Sequence, residues 1–212
     1  MTAPRTNRER PSDEELLRRH VQGDRPAFEE LVRRYTDELH RFLARFLGQR
    51  AWVEDAIQET FLQVHVSAAT FDATRRVKPW LFTIAANKAR DLLRTRTRRR
   101  EVSLDQPAGP EASDDSGCVI EQLAVDESLV SEDLAEREES ERVRRVVMSL
   151  PEHYREVLIL GYFHQFPYRD IAEILSVPIG TVKSRLHAAV AHFATAYKRM
   201  TAASASSRNA AI

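Results

Sequence analysis

Apolar residues recur every third or fourth position along most of the chain, while the apolar–polar alternation of a half-buried strand is nearly absent. Such a pattern buries its apolar faces by packing helix on helix, which makes the fold class all-α. A first short helix is expected near Ser12 to Val21. Asp24 reads as an N-cap with Pro26 in the first turn, opening a long helix through Phe28, Leu31, Val32, Tyr35, Leu39, Phe42, Leu43 and Phe46 that Gly48 ends. Further helices are expected from about Trp52 to Ala69 and from about Lys78 to Arg98, with Phe71 to Val77 as the loop between them.

From Glu101 to about Ser131 this pattern fails: Pro107, Gly109, Pro110, Ser113, Asp114, Asp115, Ser116 and Gly117 stand among few large apolar residues, the composition of a flexible acidic linker. Helical spacing returns near Asp133, with one helix to Leu150, a break at Pro151, a helix from Glu152 to Phe163, and two short helices to about Arg199. The Ala/Ser-rich tail from Thr201 is expected to fray. A length of 212 residues suits two small helical domains, 12–100 and 133–199, joined by a linker over 101–132.

Basic and acidic residues number 32 each, but this balance hides a segregation of charge. Between Arg75 and Arg100 ten basic residues face Asp91 alone; from Glu101 to Glu141 Arg137 is the one base; after Glu173 there is no acid. Two basic segments flanking an acidic one point to two polyanion-binding surfaces with a repelled connector.

Tyr168–Leu186 (YRDIAEILSVPIGTVKSRL) has helix-turn-helix spacing. Ile171, Leu175, Val177, Val182 and Leu186 can close one small core, with Ala172 small where the two helices cross. Gly180, Thr181, Lys183, Ser184, Arg185 and His187 then lie outward near the start of the second helix, where a recognition helix meets bases and phosphates. Ser176 occupies the turn, where glycine is common, so the turn is expected to carry a small cost.

Ser149–Leu160 (SLPEHYREVLIL) followed by that motif resembles region four of extracytoplasmic-function sigma factors, which implies recognition of the −35 promoter element. The first half is similar to region two of the same family. Gly23–Leu31 (GDRPAFEEL) resembles its opening segment, and Asp55–Phe61 (DAIQETF) resembles the helix that docks on the largest subunit of core RNA polymerase. The resemblance makes Asp55, Gln58, Glu59 and Phe61 the polymerase-binding residues. Phe71 to Arg100, with Pro79–Ala85 (PWLFTIA) and Asn87, resembles the segment that melts and reads the −10 element. It implies DNA contacts from Arg75, Arg76, Lys78, Trp80, Thr83, Asn87, Arg90 and Arg94, and a supporting phosphate role for Arg96 to Arg100. A helix wheel agrees, placing Leu81, Ile84, Ala85 and Leu92 inward and an aromatic, an amide and arginines outward, a mixture suited to unpaired bases. Core packing is the expected fate of one of Trp80 and Phe82.

The function so implied is a sigma factor: it binds core RNA polymerase and promoter DNA, double- and single-stranded, helps to open the promoter, and has an anti-sigma factor as a candidate partner. The acidic linker reads equally as a solvated tether or as a segment threading the polymerase cleft. A stand-alone helix-turn-helix repressor would leave the basic aromatic helix and Asp55–Phe61 without a role. An enzyme is not expected, because the seven histidines are scattered without metal-ligand spacing and no glycine loop cradles phosphate. No metal or other cofactor is implied, and the single cysteine, Cys118, reads as a linker thiol. With no apolar run long enough to span a bilayer and a polar Met1–Pro11, the chain is expected in the cytoplasm without membrane insertion.

Overall fold

A computed structural model describes residues 10–104 and 134–209, with side chains over 10–95 and 137–202. Among the described residues the regular structure is helical, without a β-strand. Asp13–Val21 forms α1, Arg25–Leu47 α2, Arg50–Ser67 α3 with a following 3₁₀ turn Ala68–Thr70, and Val77–Leu104 α4. The second half comprises Leu134–Ser149 (α5), Glu152–Leu158 (α6) running into a π turn Ile159–Phe163, Tyr168–Leu175 (α7) and Ile179–Asn209 (α8). The proposed linker thread, Cys118 and residues 105–133 as a whole lie outside the described residues.

The caps behave as their chemistry dictates. Ser12 Oγ accepts from Glu15 N at 3.1 Å to open α1, Asp24 Oδ1 accepts from Ala27 N at 3.3 Å to open α2, and Gly48 ends α2 in the left-handed region at φ 77°. Two boundaries differ from expectation. Helix α4 continues through Leu104 into the expected linker, since the first proline beyond Pro79 is Pro107. The last helix is long, not short: Val182 to Asn209 contains neither glycine nor proline, and its alanine-rich end favours helix, so α8 runs 31 residues through the segment expected to fray.

The first bundle closes around Leu31, Tyr35, Leu39, Phe42, Leu43 and Phe46 of α2, against Val53, Ala56, Phe61 and Val64 of α3 and Val77, Leu81, Phe82, Ala85, Ala86 and Ala89 of α4. The alanines on α4 let the backbones approach closely, while each fully buried Leu or Phe contributes about 1.5–3 kcal/mol by leaving water. In the second bundle α7 lays Ile171, Ala172, Ile174 and Leu175 against Val182, Leu186 and Ala189 of α8 and against the turn carrying Ile159 and Leu160, while α6, with Val157 and Leu158 buried, packs on α8.

The two bundles abut. Phe166 meets Phe82 edge-on at 4.9 Å between ring centroids, and the His164 ring fits between Phe42 (5.8 Å) and Phe82 (5.4 Å). Arg155 donates to Phe46 O (2.8 Å), Met148 O (2.9 Å) and Leu150 O (3.0 Å), so one guanidinium satisfies carbonyls at the ends of α2 and α5.

Candidate nucleic-acid and polymerase interfaces

The helix-turn-helix is built around Ser176. This residue ends α7 at φ 54°, ψ 45°, and the turn is fixed by Val177 N donating to Ala172 O (3.0 Å) and Ser176 N to Glu173 O (3.2 Å). Pro178 then starts the next turn, its carbonyl accepting from Thr181 N and Val182 N at 2.9 and 3.1 Å. With Val182, Leu186 and Ala189 buried, Gly180, Lys183, Ser184 and His187 stand exposed on α8, and Thr181 and Arg185 half-exposed. Five of the six expected residues therefore share the outward face, while Arg185 also lies within electrostatic reach of the buried Glu156. A side chain at Gly180 would meet nothing within 4 Å, so this glycine is not required by packing and leaves open space for a ligand backbone.

On α4 the outward set is less uniform. Asn87 and Arg94 are exposed; Asn87 Oδ1 accepts from Arg90 Nη2 at 2.9 Å, and Arg94 stands 3.5 Å from Asp91. Thr83 is half-buried with its hydroxyl donating to Pro79 O at 2.9 Å. Trp80 lies with its ring 4.6 Å from that of Phe71, which covers part of it, and Phe82 is the core residue of the aromatic pair. Arg75 pairs with Glu173, Arg76 with the buried Asp170, and Arg90 Nε approaches Glu156 Oε1 at 3.1 Å, all carboxylates of the second bundle. Lys78 pairs with Glu38 at 2.6 Å; although burial opposes it, His164 and Lys78 hold that carboxyl below its ordinary range. The side chains of Arg96, Arg98, Arg99 and Arg100 lie outside the described set.

Helix α3 exposes Asp55, Gln58 and Glu59, the last 3.1 Å from Lys88 Nζ. Phe61 does not belong with them. It is 8 % exposed and packs inward with Val64, because it continues the stripe of Val53 and Ala56 rather than the polar row, so it orients the face and does not form it. The sequence reading passed over Leu62 and Val66, 58 % and 67 % exposed, which extend the row from Gln58 by successive steps of four. Apolar residues standing off the buried stripe were the signal.

Burial dominates at Glu156, pushing its carboxyl up to about 7 against the pull of Arg90, Arg185 and Arg155. Two scattered histidines also meet: His20 Nε2 lies 3.0 Å from His65 Nδ1 beside Phe28, and among the described residues no third ligand joins them. Nor is any described helix long and apolar enough to cross a membrane.

Family models match the chain twice, for Sigma-70 region 2 over residues 31–99 and for Sigma-70, region 4 over residues 140–193. The chain is 33% identical over 167 residues to the ECF RNA polymerase sigma factor SigW of Bacillus subtilis, covering 78% of this chain and 86% of that protein. It is 30% identical over 179 residues to the RNA polymerase sigma-H factor of Pseudomonas aeruginosa, covering 82% and 88%. Its fold is similar to that of the sigma factor RpoE of Bartonella quintana, solved in complex with the anti-sigma factor NepR, with a TM-score of 0.61 at 24% identity over 81% of this chain and 96% of that one. A helix-turn-helix with its polar face free, a basic aromatic helix ahead of it, and matches to both regions in their order mean that the chain belongs to the extracytoplasmic-function family of RNA polymerase sigma factors, initiation factors that direct core polymerase to promoters.

Proposed function

We propose that three helices divide the work of initiation: α3 docks on core polymerase through Asp55, Gln58 and Glu59, α4 reads and opens the −10 element, and α8 reads the −35 element. The division assigns residues 12–100 to the docking and opening domain, 133–199 to the upstream-reading domain, and 101–132 to the connector. The observation that carries it is the outward face of α8, where Gly180, Thr181, Lys183, Ser184 and His187, with the half-exposed Arg185 beside them, combine backbone access, hydroxyls, cations and an imidazole over a hydrophobic base of Val182, Leu186 and Ala189. On α4, Asn87 offers an amide edge and Arg94 a cation beside the partly covered Trp80, groups that stack on, hydrogen-bond to and neutralise single-stranded DNA. The chain supplies no catalysis of its own and works in the cytoplasm, where polymerase and promoter are. An anti-sigma protein is a fitting further partner, since the RpoE that shares this fold was solved with one.

The test is promoter opening with core polymerase. A stacked or hydrogen-bonded base is worth roughly 1–3 kcal/mol, enough to bias melting. Asn87→Ala should reduce permanganate-reactive thymines at the −10 element while polymerase remains bound upstream; normal opening by this variant would remove Asn87 from strand capture. A repressor, by contrast, would bind its site fully without core enzyme.

A further inference from the structure

His20 and His65 stand 45 positions apart in the chain, yet the fold brings His20 Nε2 of α1 to 3.0 Å from His65 Nδ1 of α3. Phe28 of α2 is the platform that seats them: its ring stacks on that of His20 at 4.4 Å between centroids and meets that of His65 at 5.7 Å. Three helices thus fix two imidazoles before any ligand arrives, which lowers the entropy cost of gathering them. Neither histidine belongs to the faces assigned above to polymerase or DNA.

The spacing suits chelation of a metal ion. Nitrogens bound to one ion at about 2.1 Å stand about 3.0 Å apart when the two bonds meet at a right angle, and about 3.4 Å apart at the tetrahedral angle. The observed 3.0 Å matches the right angle, which Cu2+ and Ni2+ prefer and Zn2+ does not. Two imidazoles on such an ion have ring centroids about 4.6 Å apart. Those of His20 and His65 are 5.0 Å apart, so a small inward tilt of the rings brings both lone pairs onto one ion. Each histidine also lies in the last turn of its helix, where the carbonyl end of the helix dipole favours a cation. Neighbouring cations on α1 do not oppose one, since Arg18 is paired with Glu15 at 2.7 Å and Arg19 with Asp24 at 2.5 Å.

We propose that His20 and His65 form a binding site for a divalent transition-metal ion of right-angle coordination, Cu2+ or Ni2+, and that the bound ion fastens α1 to α3. On binding, the ring that donates the N···N hydrogen bond shifts its proton, through solvent, to its outer nitrogen, and both facing lone pairs go to the ion. No third histidine, cysteine or carboxylate joins the pair among the described residues, so water completes the coordination. Helix α1 has nine residues, too few to hold as a helix by itself, and its place depends on tertiary ties of this kind. The unfolded chain does not gather the two rings, so the ion binds the folded state and stabilises it.

Titration of the full chain with CuSO4 tests the site, with Cys118→Ser as the common background because a thiol would compete for Cu2+ and reduce it. Calorimetry should show one ion bound per chain, with Ni2+ held more weakly and Mg2+ not held. The electron paramagnetic resonance spectrum of the Cu2+ form should carry the splitting of two ligating nitrogens. At a hundredfold excess of free ion over Kd, the thermal midpoint by circular dichroism should rise by about 5 °C. His65→Gln, at an exposed side chain, should fold normally, and it and His20→Gln should each weaken binding at least about tenfold. His192→Gln, at an exposed histidine of α8, should leave the site intact. Undiminished affinity in His65→Gln, an equal loss in His192→Gln, or a Cu2+ spectrum with a single nitrogen would overturn the proposal. Tight binding without any rise in the thermal midpoint would overturn the fastening of α1 to α3.

Discussion

Ser176 shows what one residue contributes to the turn that positions α8. A side chain in the left-handed region costs roughly 1–2 kcal/mol, whereas glycine there avoids the clash but adds about 0.5–1 kcal/mol of unfolded-state entropy. The difference favours glycine, so Ser176→Gly should raise the free energy of unfolding by about 0.5 kcal/mol in urea titration without changing −35 element binding by α8. On α8 itself, neighbouring cations have different exposures and so different expected roles. Lys183 is exposed and its ammonium is a point charge, while Arg185 is half-exposed with a planar fork suited to a base edge. Lys183→Ala should weaken binding to all sequences and lower the salt slope by about one unit, and Arg185→Ala should cost about 1–3 kcal/mol and relax one base position. Equal losses on matched and mutated −35 elements for both variants would take base reading away from Arg185.

At the level of the element, α3 acts as a surface whose polar row is set by its buried one. Charge reversal at Asp55 and Glu59, both exposed, should weaken binding to core polymerase in a competition assay while circular dichroism stays unchanged; full competition by the double variant would place the docking face elsewhere. Periodicity made α3 legible, because Val53, Ala56 and Val64 keep strict helical spacing, and it made α1 and α2 legible to within a residue because Ser12, Asp24 and Gly48 are strong local caps. The helix-turn-helix was equally readable, since its inward and outward sets alternate with the helical period. What periodicity does not carry is which covered face meets which neighbour. Phe61, grouped with the docking residues by resemblance alone, is core, and Arg75, Arg76 and Arg90 looked free and are paired across 98, 94 and 66 positions of chain, a separation that only tertiary packing can bridge. The long α8 was missed for a different reason: polar alanine- and serine-rich sequence has no apolar stripe to announce it, although nothing in it breaks a helix.

For the molecule as a whole, Glu156 links the domains, and its titration makes their joint stability depend on pH. The carboxyl is buried among Arg90 from α4, Arg185 from α8, and Glu152 and Arg155 on its own helix, and burial raises it to about 7. An acid raised on folding binds a proton in the native state that the unfolded chain has already lost, so native stability falls as pH climbs from the ordinary glutamate range to about 7 and levels off beyond it. Between pH about 5.5 and 8 the loss from this one group amounts to about 2 kcal/mol. His20 works in the opposite direction. Burial, then the neighbouring His65, lowers it, so its contribution is present above the ordinary histidine range and is lost as pH falls through its folded value. The raw pH profile therefore mixes two opposing slopes, and the informative quantity is the difference between wild type and Glu156→Gln, in which the His20 contribution cancels. Urea unfolding at both pH values should show that the variant lacks the stability loss of the wild type toward alkaline pH, by about 2 kcal/mol. Parallel profiles for the two proteins would mean that the Glu156 carboxyl remains ionised in the folded chain, with Arg90 and Arg185 outweighing its burial.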